Sequence, residues 1–109
     1  MLGYVVRADG SFEAVQFTNE TAYQTLRDGV GGLIECVSLP NLGIDMWVND
    51  EGKLNGSEPN LLGTLLWSHA YGFGTDIIVG DIVLTGGPDD EGNTTGLTVD
   101  HLQAIYNLL

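Results

Sequence analysis

Apolar residues along the chain fall into short runs whose spacing alternates between strand-like and helix-like periods. Tyr4–Ala8 and Phe12–Phe17 are two apolar-rich runs separated by "DGS". Asp-Gly between such runs predicts a hairpin, because both turn positions tolerate positive φ. Thr18 or Asn19 is the expected cap of a helix running to about Asp28, with Ala22, Leu26 and Val30 in one stripe and Tyr23 beside it. "GVGG" at 29–32 then stops that helix and turns the chain.

"LIECVSL" at 33–39 is apolar on both faces apart from Glu35 and Ser38, the pattern of a central strand covered on two sides. After "PNLG", residues 44–49 return as a strand. Ile44, Met46 and Val48 face one way, and Asp45, Trp47 and Asn49 the other. Trp47 on the polar face must meet a packed helix, a partner or solvent.

Ser57 and Pro59 suit the start of a second helix, with Leu62, Leu65, Leu66, His69 and Phe73 at the spacing of one helical face. "DIIVGDIVLTGG" holds an apolar segment, a Gly-Asp break and a strand at about 81–86. Thr98 caps a last helix whose Leu102, Ile105, Tyr106 and Leu109 form an apolar face. No linker, repeat or low-complexity segment divides the chain. The pattern predicts a single α+β domain over 1–109, with a mainly antiparallel sheet of about five strands and about three helices in the order ββαββαβα.

Composition changes this picture in one respect. Apolar residues make up 43% of the 109 positions, so a chain of this length can bury an ordinary core, roughly 65% of its unfolded surface. Charge is lopsided: fifteen acids oppose three basic residues, Arg7, Arg27 and Lys53, for a net charge of −12. Three scattered cations cannot build a phosphate-binding surface, so direct nucleic-acid binding is not expected, nor is docking on an anionic membrane. A self-repelling soluble surface remains, or a partner that is itself basic. The acids form no block longer than "DDE" at 89–91. There is no signal-peptide pattern and no run long enough to span a membrane, so an intracellular protein is expected.

The stretch "DMWVNDEGKLNGSEPNLL" at 45–62 is the most site-like in the chain. It fails as an EF-hand. With Gly52 at loop position 6, position 1 is Trp47, which offers no oxygen. The "DDEGN" loop fails too, with Gly87 at position 1 and Thr98 at position 12. Zinc would need a close ligand pair that one cysteine and two histidines, His69 and His101, do not supply. Cys36 reads as a small buried hydrophobe, and Cys36–His69 is the only cysteine-based nucleophile pair to test. His69, on an apolar helix face, is expected to be packed or half-buried, and His101 exposed. "GVGG" lacks the lysine and hydroxyl of a phosphate loop. No catalytic residue, cofactor or metal is therefore assigned. Asn49–Gly52 reads instead as a turn ending a strand, and Ser57–Asn60 as a helix start. The Asn49 and Asn60 amides would bond backbone across the connection.

"GGLIECVSLP", "MWVNDEGKLNGSEPNLLGTLL" and "DIIVGDIVLTG", in that order, resemble the domain-of-unknown-function family 3846. The turn residues Asn49, Glu51 and Gly52, then Asn60, then the Gly80-Asp81 strand entry, carry the likeness. That family is carried by bacteriophages, plasmids and integrated elements, often in actinobacteria and other Gram-positive hosts. The resemblance implies a mobile-element setting and action in the host cytoplasm, and supplies no catalytic residues. The leading expectation is a non-catalytic accessory protein that binds a host protein, itself basic. Its sharpest version is an acidic inhibitor or DNA mimic directed at a DNA-binding or defence protein. One alternative is a small-ligand binder or minor enzyme with a pocket near Trp67, His69 and Tyr71. Another is a homodimerisation module using Trp47 or the last helix. The candidate partner or ligand surface comprises Trp47, Asn49, Glu51, Asn60, Trp67, His69 and Tyr71.

Overall fold

Two hairpins are joined edge to edge by a single strand, and this joint sets the architecture. The computed structural model describes residues 1–109. Strands β1 (Leu2–Val6) and β2 (Phe12–Gln16) form the first hairpin, and β3 (Ile34–Leu39) and β4 (Ile44–Asn49) the second. Strand β5 (Ile82–Gly86) lies between them, giving the order β2-β1-β5-β4-β3 with every neighbour antiparallel. All five residues of β5 are buried, as a strand with ladders on both edges and helices over both faces requires. In the first turn, the Asp9 carboxylate accepts from the Ser11 amide at 2.8 Å, and Gly10 takes the left-handed conformation.

Helix α1 (Ala22–Val30) packs on one face of the sheet; α2 (Leu61–Tyr71) and α3 (Val99–Leu108) pack on the other. The sheet's alternation decides which residues each helix meets. Val5, Val83 and Trp47 meet Leu26 and Val30 of α1, while Val6, Leu84, Met46 and Val48 meet Leu66 and Ile105. Trp47 is thus covered by a helix, and its indole N–H donates to the Thr85 hydroxyl at 2.9 Å. Gly29 shows how closely α1 approaches: a Cβ there would lie 2.3 Å from a methyl of Val83. The helix ends at Gly31, left-handed, whose amide donates to the Arg27 carbonyl.

Three local expectations are corrected. The "LIECVSL" strand is an edge and not a central strand, because β5 takes the central place and β3 pairs only with β4. Its Cys36 is exposed accordingly. Helix α1 is preceded by Thr21, which makes no side-chain cap; Thr18 and Asn19 lie ahead of it, and Thr18 instead exchanges hydrogen bonds with Thr21. Helix α2 starts one residue after Asn60, its true cap, so Ser57 and Pro59 lie outside it and Pro59 forms a lone bridge with Val79. The start of α3 is as expected at Thr98. Its hydroxyl accepts from the His101 amide at 3.2 Å, and His101 Nδ1 accepts from the Thr98 amide at 3.1 Å, closing a capping box.

Asn60 is 1% exposed and fully bonded. Its Oδ1 accepts from the Gly63 amide at 2.9 Å, while Nδ2 donates to the carbonyls of Val6 at 3.0 Å and Gly80 at 2.9 Å. Its own amide donates to Ile78 at 2.7 Å. On the α1 face, Asp45 is buried opposite Thr85, whose hydroxyl proton is already given to the Gly86 carbonyl. Desolvation raises the Asp45 carboxyl above its ordinary value, with only Cys36 acting to lower it.

Two outcomes follow. Asn60→Ala removes three hydrogen bonds from the interior and leaves a small void, and is expected to cost about 3 kcal/mol in chemical denaturation. Asn60→Asp keeps the cap acceptor but loses both donors, so it should be at least as damaging as alanine. For Asp45 the folded carboxyl binds its proton more tightly than the unfolded one. The charged form therefore destabilises the fold as pH rises past the unfolded value. Asp45→Asn should raise the melting temperature at about pH 7, and that gain should vanish below about pH 3.

Candidate functional site

The 50–58 connection folds back over the α2 side of β3 and β4 and encloses a cleft of about 220 Å³. Its floor is aliphatic: Val37 and Val48 from the sheet, with Ile78 and Val79 from the segment before β5. Trp67 of α2 forms one wall, and Leu54, 88% exposed, stands at the lip. Its polar groups are Glu35, Asn49, Asp50, Lys53 and Asp76.

The loop owes its path to Asn49. The Asn49 Oδ1 accepts from the Glu51 amide at 2.8 Å and closes the turn, while Nδ2 donates to the Val30 carbonyl at the end of α1 at 3.2 Å. The Gly52 amide then returns to the Asn49 carbonyl. Across the cleft Lys53 donates to the Asp76 carboxylate. That hydrogen bond, then the Ile77 amide at 2.8 Å, holds the Asp76 carboxyl below its ordinary value. With Lys53 so engaged, Glu35 and Asp50 carry the cleft's unbalanced charge. Trp67 is fixed by its indole N–H donating to Thr75 at 2.8 Å and by the Tyr71 ring, 4.4 Å away between centroids. The Tyr71 hydroxyl donates in turn to the Ser38 carbonyl of β3.

Only part of the expected surface is brought together. Asn49 and Trp67 line the cleft, and Tyr71 backs Trp67. Asn60 serves the interior, and Trp47 lies under α1 on the opposite face, so neither offers a partner surface. Glu51 is an exposed turn residue outside the lining. His69 is exposed, edge-on to Phe73 at 5.4 Å, and takes no part in the core or the cleft. The helical stripe is rotated from the expected one, because Gly63, Leu66 and Ala70 face inward. Cys36 shares the α1 face with Trp47, its partner in register, whereas His69 belongs to a helix on the other face. The two cannot form a dyad. The Cys36 thiol is also pushed up to about 12, by desolvation first and then by the Asp45 carboxylate, which suppresses thiolate.

Glu35, Asp50, Lys53 and Asp76 were not singled out from sequence. Lys53 and Asp76 lie 23 residues apart, and no local spacing announces that pair. The "DDEGN" acids shape their own loop: Asp89 accepts from the amides of Glu91 and Asn93, both at 2.9 Å. No group of three or more His, Cys, Asp or Glu is arranged to hold a metal ion. No helix is long and apolar enough to cross a membrane. Comparison with curated proteins and with solved structures finds no match. A family model described as "Domain of unknown function (DUF3846)" matches residues 1–109, the whole of the sequence, and the chain belongs to that family.

Proposed function

We propose that this chain is a non-catalytic binding protein of a bacteriophage or other mobile element, which acts in the host cytoplasm by receiving a basic segment of a host protein in the Trp67 cleft. The observation that carries this reading is the cleft's composition. An indole wall and an aliphatic floor adjoin three carboxylates, and the single lysine present is already paired. An arginine or lysine side chain suits such a place, its stem on the apolar floor and its cation near Trp67 and the free acids. A cleft of about 220 Å³ is smaller than the usual small-molecule pocket and matches one long side chain. The net charge of −12 extends the same preference over the surface and would speed encounter with a basic partner. The sharpest version is an inhibitor that occupies the nucleic-acid groove of a DNA-binding or defence protein. The mobile-element setting rests on the family likeness.

The small-ligand alternative loses its proposed ligating groups, since His69 and Cys36 both lie outside the cleft. Affinity capture from host lysate should recover a basic protein whose retention falls as salt rises; no partner at moderate salt would overturn the proposal. The double variant Glu35→Gln, Asp50→Asn should weaken a recovered complex by about 1 kcal/mol per charge, roughly fivefold each in Kd by calorimetry. Its circular dichroism should be unchanged, since both side chains lie at the surface of the cleft.

A further inference from the structure

The sheet has two edges, and they are not equivalent. On β3 the backbone groups of Ile34, Cys36 and Ser38 point away from β4. This follows from the Asp50 amide donating to Leu33 at 2.9 Å, which sets the alternation. One of those outward carbonyls, that of Ser38, is taken by the Tyr71 hydroxyl. Glu35, an acid with no ion pair, also sits in this strand. This edge is blunted against strand addition.

On β2 the same reasoning gives a different result. Arg7 donates to Ser11, and Met1 and Phe17 exchange hydrogen bonds at 2.8 and 2.9 Å, so Ser11 and Phe17 face β1. Phe12, Ala14 and Gln16 therefore present their N–H and C=O groups outward, and none of these side chains or backbone groups makes another bond. The side chains of these three residues lie on the α3 side, as the pairing of Phe12 with Val6 and of Ala14 with Tyr4 requires. There they continue an apolar groove of about 240 Å³ whose outer members are Phe12, Tyr106 and Leu109, exposed by 61, 72 and 70%.

Charge identifies the occupant. In a chain of −12, two copies repel wherever their acids meet. The groove is lined by ten apolar residues and no acid. Asp100, in the first turn of α3, lies outside that lining, and β2 contains only Glu13, which is bound to its own Arg7 at 2.6 Å. This is a face on which two copies can meet without unpaired like charge. An antiparallel edge pairing is also self-complementary, as a two-fold interface must be.

We propose that the chain forms a two-fold homodimer through antiparallel pairing of β2 with β2 of a second copy, centred on Ala14, with the α3 apolar groove closing over the joint. In that register Ala14 faces its own copy, and Phe12 faces Gln16 of the other. Every outward N–H and C=O of the strand then finds a partner. The sheet becomes continuous across both copies, and each Glu13 lies opposite a Val15.

Sedimentation equilibrium across a concentration series should report twice the 11.6 kDa of one chain. Ala14→Pro removes an outward N–H without touching the β1 ladder, a place where an edge strand tolerates proline, and should shift the mass to that of one chain. Phe12→Lys, on an exposed side chain, should do the same and guards against a fold-specific effect of proline. Ala14→Cys in a Cys36→Ser background should cross-link covalently on oxidation, since directly bonded strand partners lie about 5.5 Å apart at Cα, within disulfide reach. A wild-type chain that stays single at every concentration overturns the proposal. So does a dimer that survives both substitutions, or one that the Ala14→Cys variant fails to cross-link.

Discussion

The Asn60 side chain is the constraint on which the rest of the structure depends. One amide of four hydrogen-bonding sites reaches three separate parts of the chain: the end of β1, the turn before β5, and the first turn of α2. Strand β5 can enter between the two hairpins only if its leading turn is held at the right height, and Gly80 is the residue held. Hydrogen-bond satisfaction is here a matter of register. A slip of one residue in β5 would turn Val83 away from α1 and Ile82 away from α2, exchanging the faces of a strand buried on both. Water cannot replace the amide, because the site is closed to it. The cleft depends on the same joint, since Ile78 and Val79 of its floor lie between α2 and Gly80.

The elements themselves were largely legible. Alternation in 44–49 separated Met46 from Trp47 correctly, and the Asp-Gly turn placed the first hairpin. The two asparagines of the long connection were correctly expected to bond backbone, because a short amide between a strand end and a helix start has few other uses. What failed was order within the sheet. Apolar content on both faces made β3 resemble a central strand, yet "LIECVSL" is apolar merely because each face of an edge strand still meets a helix layer. Nothing local distinguishes that strand from β5. Only the pairing of two hairpins through the last strand does.

The site was less legible than the fold, for a related reason. A charged group gains its role from what comes near it in space. Lys53 and Asp76 meet across the cleft, and Glu35 arrives from another strand. His69 shows the opposite error. A periodic apolar stripe placed it inward, but the small Gly63 and Ala70 let α2 rest on the sheet on a different line, which leaves the imidazole in solvent. Close approach of backbones is decided by residues too small to register as hydrophobic, and periodicity of large side chains does not weigh them.

The cleft and the open strand edge lie at opposite ends of the sheet, the cleft over β3 and β4 and the free edge at β2. Across five strands at about 4.8 Å spacing, the distance between them is roughly 20 Å. Pairing through β2 would therefore leave both clefts uncovered and carry them to the two ends of one continuous sheet. Charge would favour the same arrangement. The acids of the 50–58 connection, over β3 and β4, stay apart while the β2 strands meet, each Glu13 bound to its own Arg7. A partner with two basic segments could then engage both clefts at once, and its affinity would rise by effective concentration without any new contact. A five-residue strand is a short interface by itself, so the apolar groove beside it has to contribute, and its openness in one copy is what makes that contribution available.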